Sequence, residues 1–262
     1  MQNVRIISLY SGSAGNATLV VGKKSAILID AGKSARSLTN AVKTVGFDID
    51  RIDAVFITHE HTDHVSALEV LEKKHRIPVH ITESSARSAR IIPGSPLASS
   101  LVCHPPRFSV ELDGMTVSSF CTSHDSAASV GYRVEIKDGE ESFAFGLATD
   151  TGCVTDDMKK ALVGCEAVLI ESNHDEDMLA LGPYPADLKR RIRSKTGHLS
   201  NKDCAALAAH LAENGTKSFT LGHLSEENNT PEEALKTVGA ALAEFGDVSL
   251  AAARPDSETV II

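Results

Sequence analysis

Thr58-His59-Glu60-His61-Thr62-Asp63-His64 is the stretch on which the reading of this 262-residue chain turns. Five of its seven side chains are able to ligate a metal. They follow Ala54-Val55-Phe56-Ile57, a short, uninterrupted, largely β-branched apolar run of the kind that forms a strand buried on both faces. The ligands therefore stand at a strand's end. Leu68 and Leu71 then recur at helical spacing, which places the motif in the turn between that strand and a helix. His59 and His61, two apart in extended chain, point to one side, whereas Asp63 and His64, adjacent on a tightening turn, point differently. One pair suits one metal and the other pair a second. Imidazole and carboxylate donors favour zinc, manganese or iron, and a cluster without cysteine speaks for open coordination positions over a closed structural zinc site.

Other strand ends repeat the arrangement. Strands are expected at 4–9, 18–21, 26–29, 78–82, 115–120, 130–136, 142–147, 167–170 and 218–221, from their β-branched apolar runs and bounding turn residues. Asp30 closes the third, where it either braces the metal loop or caps the helix expected at 34–45. His124 follows the strand at 115–120, Asp150 the one at 142–147, Glu171 the one at 167–170 and His223 the one at 218–221. With His59, six strand ends carry polar or chelating residues, and open α/β architectures gather their sites at the carboxyl ends of strands.

Three further features bear on the site. In Ser11-Gly12-Ser13-Ala14-Gly15-Asn16-Ala17 two glycines let backbone N–H groups converge, with Ser13 and Asn16 as added donors, so that Ser13, Gly15 and Asn16 form a candidate phosphate cradle; a plain hairpin turn is the competing reading. Lys189, Arg190, Arg191, Arg193 and Lys195 make the one dense basic run, on a helix whose Tyr184, Leu188 and Ile192 face inward. Arg190 and Arg191 are candidates for contacts to a phosphate backbone, against a merely solvated helix face. Helices are expected at 84–91, after Ser200 with Asp203 as a capping box, and after Thr230-Pro231.

Composition bounds the rest. With 42% hydrophobic and 23% charged residues the chain suits one domain over 1–262 with a substantial core, and no apolar run approaches the roughly 20 residues of a membrane span. Met1-Gln2-Asn3-Val4-Arg5 lacks the character of a signal peptide, so a cytoplasmic location is expected. Five scattered cysteines with no Cys-x-x-Cys pair indicate neither a disulfide framework nor a zinc knuckle. The net charge of −9 repels a polyanion unless metal ions and a local basic patch reverse the field at the site.

In chain order, Asp30, His59-x-His61-x-Asp63-His64, His124, Asp150 and His223 resemble the motifs of the metallo-β-lactamase superfamily, over nearly the whole chain. That resemblance implies an α/β fold, a four-layer αββα sandwich of two mixed β-sheets flanked by helices, with two divalent metal ions per chain (zinc or manganese, with iron a further option). His59, His61 and His124 would hold one ion, Asp63, His64 and His223 the other, and Asp150 would bridge. Ser11-Gly12-Ser13-Ala14-Gly15-Asn16, Gly197-His198-Leu199-Ser200-Asn201 and His223-Leu224-Ser225 further resemble the bacterial YycJ (VicX, WalJ) subfamily, which is linked to DNA exonuclease activity. Glu171 with His198 is similar to the proton-transfer pair of tRNA 3′-processing members. The 73 positions between Asp150 and His223 leave no space for the large inserted domain of the β-CASP nucleases. The expected activity is a phosphodiesterase or nuclease acting on nucleic acid, DNA before RNA, in which a metal-bridging hydroxide attacks phosphorus, Asp63 orients it and His198, steadied by Glu171, protonates the leaving oxygen. A thioesterase or lactonase using the same metals is the alternative; it would need an apolar pocket.

Overall fold

The computed structural model describes residues 4–89 and 96–262. Its strands are β1 (Arg5–Tyr10), β2 (Ala17–Val21), β3 (Ala26–Ile29), β4 (Ala54–Phe56), β5 (Val79–Thr82), β6 (Leu101–His104), β7 (Ser109–Leu112), β8 (Met115–Cys121), β9 (Val130–Asp138), β10 (Glu141–Ala148), β11 (Ala167–Glu171), β12 (Ser218–Gly222), β13 (Ser249–Ala252) and β14 (Thr259–Val260). They form two seven-stranded sheets, in the orders β14-β1-β2-β3-β4-β5-β6 and β13-β12-β11-β10-β9-β8-β7. Both are mixed. The first is antiparallel from β14 to β3 and parallel from β3 to β6; the second is antiparallel from β7 to β10 and parallel from β10 to β13.

The strand pattern dictates the layering. Side chains alternate between faces, and in the inner strands both sets are apolar. Ile27 and Ile29 of β3 enter the core between the sheets with Phe56, Tyr132, Phe145 and Leu169, whereas Ala26 and Leu28 turn outward into a second core with Leu38 and Val42 of the helix Ala35–Thr44 and Leu68 and Leu71 of the helix Leu68–His75. Val168 and Ile170 of β11 face a third core, closed by the helices Asp156–Leu162, Asn201–Glu213 and Pro231–Leu242. Two sheets face to face, each covered outside by helices, make the expected four-layer sandwich. The capping signals hold as well, since Ser200 and Thr230 accept from the backbone N–H groups of Asp203 and Glu233.

This architecture brings the chelating residues to one edge. β3 and β4 run parallel in one sheet, and β8, β10, β11 and β12 share one direction in the other, so that all six expected ligand-bearing strands end at the same rim. The rim is anchored from below. Phe56 is fully buried, stacked on His80 (ring centroids 4.6 Å apart) and edge-on to Tyr132 (5.7 Å), whose hydroxyl donates to the Ile57 carbonyl at 2.6 Å. Truncating Phe56 to Ala would cost about 3–5 kcal/mol and loosen the strand end that carries His59.

Three local expectations differ from the structure. Helix begins inside the ligand motif, at Thr62–Val65, so Asp63 and His64 ride on a first helical turn. The helix expected at 84–91 spans Glu83–Ser88, and its last expected positions, 90 and 91, lie outside the described residues, as do Met1, Gln2 and Asn3 of the amino-terminal reading. The basic helix is short, Ala186–Ile192, which leaves Tyr184 ahead of it and Arg193 and Lys195 at and beyond its end. No helix among the described residues is long and apolar enough to cross a membrane.

Candidate metal centre and its flanking cavities

The sequence-predicted ligands converge in two sets. Donor atoms of His59, His61 and His124 lie within 4.8 Å of one another, as do those of Asp63, His64 and His223, and Asp150 stands within the same distance of His59 and His64, one from each set. Asp150 Oδ2 is 3.3 Å from His64 Nε2, while its Oδ1 is 3.5 Å from His223 Nε2 and 3.8 Å from His124 Nε2. It faces both sets at once. The backbone bends sharply to achieve this: Asp30 (φ 64°), Asp150 (φ 56°) and His223 (φ 54°) adopt the left-handed conformation just past the ends of β3, β10 and β12. Such positions are costly for residues other than glycine and collect at functional sites.

Each buried imidazole is turned by a bond to its far nitrogen. His64 Nδ1 donates to Asp30 Oδ2 at 2.8 Å, His223 Nδ1 to Glu171 Oε1 at 3.0 Å, His124 Nδ1 to the Gly197 carbonyl at 3.0 Å, and His59 Nδ1 to Thr58 Oγ1 at 3.0 Å. All four therefore present Nε2 to the cluster, the tautomer and orientation that metal-binding histidines use. Asp30 is thus a brace and not a helix cap: it accepts from Thr58 N and Oγ1 as well, and Ser34 caps the helix instead. His59 Nε2, His223 Nε2 and Asp150 Oδ2 are buried without a hydrogen-bond partner. Leaving such groups unpaired costs roughly 1–3 kcal/mol each, and divalent ions at their convergence would satisfy all three. The donor set fits the metals that the sequence implies.

Electrostatics agree with the geometry. Burial alone would lower the His223 pKa, but Asp150, with the Asp63 carboxylate 3.8 Å from Nε2 and the hydrogen bond to Glu171, pushes it up to about 10; His64 is likewise raised against burial by Asp30 and Asp150. Burial would raise Asp150, yet His223 and His64 hold it well below the usual carboxylate range. His59 moves the other way, lowered by burial and by His64, which keeps its Nε2 lone pair free. The carboxylates thus gather positive charge as protons, which divalent cations would displace.

Glu171 does more than the sequence implied. Fully buried at the end of β11, it accepts His198 Nδ1 at 2.7 Å and His223 Nδ1 at 3.0 Å on the same Oε1, with Thr151 N on Oε2 at 2.8 Å. Burial works to raise its pKa, but His198, with His223, brings it down to about 2. One carboxylate therefore positions both a candidate ligand and the candidate proton donor. His198 forms a wall shared by two cavities. One is lined by His174, Glu176, Asp177, Arg193 and Asp203; the other by Ser13, Asp125, Tyr184, Leu188 and Arg191.

The expected substrate-binding residues divide. Ser13 and Arg191 line the second cavity. Gly15 N donates to the Gly12 carbonyl, and the Asn16 side chain bonds Gly12, Asp63 Oδ2 (3.3 Å) and His64 Nε2 (3.1 Å), so these two hold the loop against the cluster. Gly32 allows that contact, because a methyl group there would sit 1.5 Å from the Asp63 carbonyl oxygen. Arg190 pairs with Asp187 of its own helix and lines neither cavity. Sequence reasoning passed over Asp125, which holds Arg191 Nε at 2.5 Å while its other oxygen lies 3.4 Å from His124 Nε2. It also passed over His174, buried with Nδ1 unpartnered. Asp125 sits directly after His124, an adjacency that was the available signal.

Comparison with known proteins agrees with this picture. The model of the family described as Beta-lactamase superfamily domain matches residues 25–223. An exodeoxyribonuclease YycJ of Bacillus anthracis is 35% identical over 243 residues, 91% of this chain and 89% of that protein. An exodeoxyribonuclease WalJ of Streptococcus pneumoniae is 36% identical over 238 residues, 90% and 87% of the two chains. Among solved structures, the metallo-β-lactamase fold protein YhfI from Bacillus subtilis superposes with a TM-score of 0.72 at 16% identity, over 98% of this chain and 99% of that one, a likeness of fold.

Proposed function

The chain belongs to the beta-lactamase superfamily, and we propose that it is a metal-dependent phosphodiesterase with two metal ions, an exonuclease on DNA like the relatives of that name. His59, His61 and His124 would hold one divalent ion, Asp63, His64 and His223 the other, and Asp150 would serve both. Two such ions, zinc, manganese or iron, supply when bound an activated water near neutral pH and positive charge for the phosphate oxygens. Asp63, whose side chain is 24% exposed against 3% for Asp150, is the ligand carboxylate open to the approaching water and orients it. His198 is anchored through Nδ1 and turns Nε2 outward, where it gives a proton to the departing sugar oxygen. That assistance is worth roughly a hundred- to ten-thousand-fold in rate. Ser13 and Arg191 hold the substrate beside the cluster.

The observation that carries this reading is the single Glu171 oxygen shared by His198 and His223, because it supports His198 as a proton donor held beside the cluster. A phosphodiester needs that donor; a thioester, whose thiolate departs unaided, does not. Histidine, arginine and acidic side chains stand in both cavities, beside Tyr184, Leu188 and Ile192 in the second, unlike the apolar pocket of a carbonyl hydrolase. The test is metal-reconstituted protein on end-labelled DNA, on RNA and on a thioester in parallel. Release of nucleotides from DNA is expected; thioester turnover without DNA cleavage would contradict the assignment. Since the site joins residues from Asn16 to His223, we read residues 1–262 as one domain.

A further inference from the structure

Tyrosine is scarce in this chain. Three are present, with no tryptophan. The Tyr10 hydroxyl donates to the Ser37 carbonyl at 3.0 Å and that of Tyr132 to Ile57. Tyr184 is different: half-buried, it lines the cavity beside His198, and among the described residues its hydroxyl has no hydrogen bond and its ring no aromatic partner. It is also presented rigidly. The chain reads Pro183-Tyr184-Pro185, with Pro185 at φ −58° capping the basic helix, and a following proline restricts the residue before it to extended conformations. Little backbone entropy is left for a ligand to remove.

The charge around Tyr184 points to the same kind of ligand. Arg191 shares the cavity and is tied through Nε to Asp125, which leaves the two terminal nitrogens of a 57% exposed side chain to face an anion. Among the described residues Asp125 is the one acidic group lining this cavity, and it is neutralised by that pair. On the other side of His198, Glu176, Asp177 and Asp203 stand against Arg193 alone. A phosphate backbone is favoured on the Tyr184 side and repelled on the other. We propose that Tyr184 is the platform on which the base of the nucleotide flanking the scissile phosphate stacks, with Arg191 on that nucleotide's phosphate. The proposal rests on the nuclease reading above and gives it a substrate-positioning residue.

The experiment uses metal-reconstituted full chain and end-labelled single strands that differ only in carrying a normal or an abasic terminal nucleotide, at each end in turn. Loss of base stacking typically costs 1–3 kcal/mol, about fivefold to 150-fold in affinity. The wild-type protein should therefore show KM raised about tenfold for the abasic strand at one end. Tyr184→Ala should raise KM about tenfold on the normal strand, with kcat within about twofold, and lose the discrimination; Tyr184→Phe should keep it. A readout without turnover is calorimetric titration with thymidine 5′-monophosphate and with deoxyribose 5-phosphate, the first binding more tightly only where the ring is present. Equal KM for both strands in the wild type, which needs no variant to fold, or discrimination retained by Tyr184→Ala, would overturn the platform while leaving the nuclease assignment in place. If the metal-loaded wild type cleaves no DNA, the nuclease reading fails and the platform fails with it.

Discussion

The two halves of the candidate metal centre are held in place by different means. In the half made by Asp63, His64 and His223, both imidazoles donate to buried carboxylates, Asp30 and Glu171. In the half made by His59, His61 and His124, the anchors are neutral, the Thr58 hydroxyl and the Gly197 carbonyl, and His61 is half-exposed with an imidazole that makes no hydrogen bond among the described residues. A carboxylate behind an imidazole fixes the ring and raises its basicity, and loss of such a partner typically costs ten- to a hundredfold in metal affinity. The first half should hold its ion more tightly, and the second should be the exchangeable one.

The most severe way to break this contrast is to remove what both halves share. Asp150→Ala should reduce activity to background and lower the metal content of both halves, as measured by elemental analysis after gel filtration. Full activity with unchanged metal would dismiss the shared carboxylate. His61→Ala strikes one half only: it should abolish turnover while the protein retains about half its metal, because Asp63, His64 and His223 are untouched. Asp30→Asn reverses the direction. It should weaken the tighter half ten- to a hundredfold by competition with a graded chelator, bringing the two halves closer together. If Asp30→Asn and the wild type release metal identically, the bond to His64 does not set the difference.

The smallest effect separates neighbours on one helix. Arg191→Ala should reduce by about one the slope of log binding against log salt for a DNA strand, as expected for the loss of one phosphate contact, whereas Arg190→Ala should leave it unchanged. Equal slopes in the two variants would return Arg191 to the role of a solvated surface charge.

How far the sequence could be read follows the physics of burial. Strands buried on both faces, such as β3, β4 and β11, announce themselves as continuous apolar runs, and their ends located Asp30, His59 and Glu171. The strands the sequence did not signal are β6, β7, β13 and β14, and they are the four outer edges of the two sheets. Ser109–Leu112 and Ser249–Ala252 do alternate exposed with half-buried positions, but over four residues only, Leu101–His104 has no alternation, and Thr259–Val260 is two residues long, so each signal is too short to mark a strand. The convergence of the candidate ligands was legible because chelating residues at strand ends have few structural uses. The duties of Asn16, of Asp125 and of the shared Glu171 oxygen were not, since each depends on which way a side chain turns once distant segments meet. The glycine loop shows the same limit: its composition suggests an anion cradle, but three of its N–H groups are spent on Asn16 Oδ1, the Gly12 carbonyl and the Asp63 carbonyl.

On this reading His198, set by Glu171 beside the candidate metal ligands, supplies a proton to a leaving oxygen. That role is tested most directly by kcat/KM of His198→Ala on two substrates, with metal content measured alongside. On an ordinary DNA phosphodiester the variant should be slower by at least roughly a hundredfold. On a nitrophenyl phosphodiester, whose leaving group departs without a proton, it should be close to wild type, with metal content unchanged. Equal losses on both substrates would contradict the account and reduce His198 to a residue that positions phosphate or supports the fold.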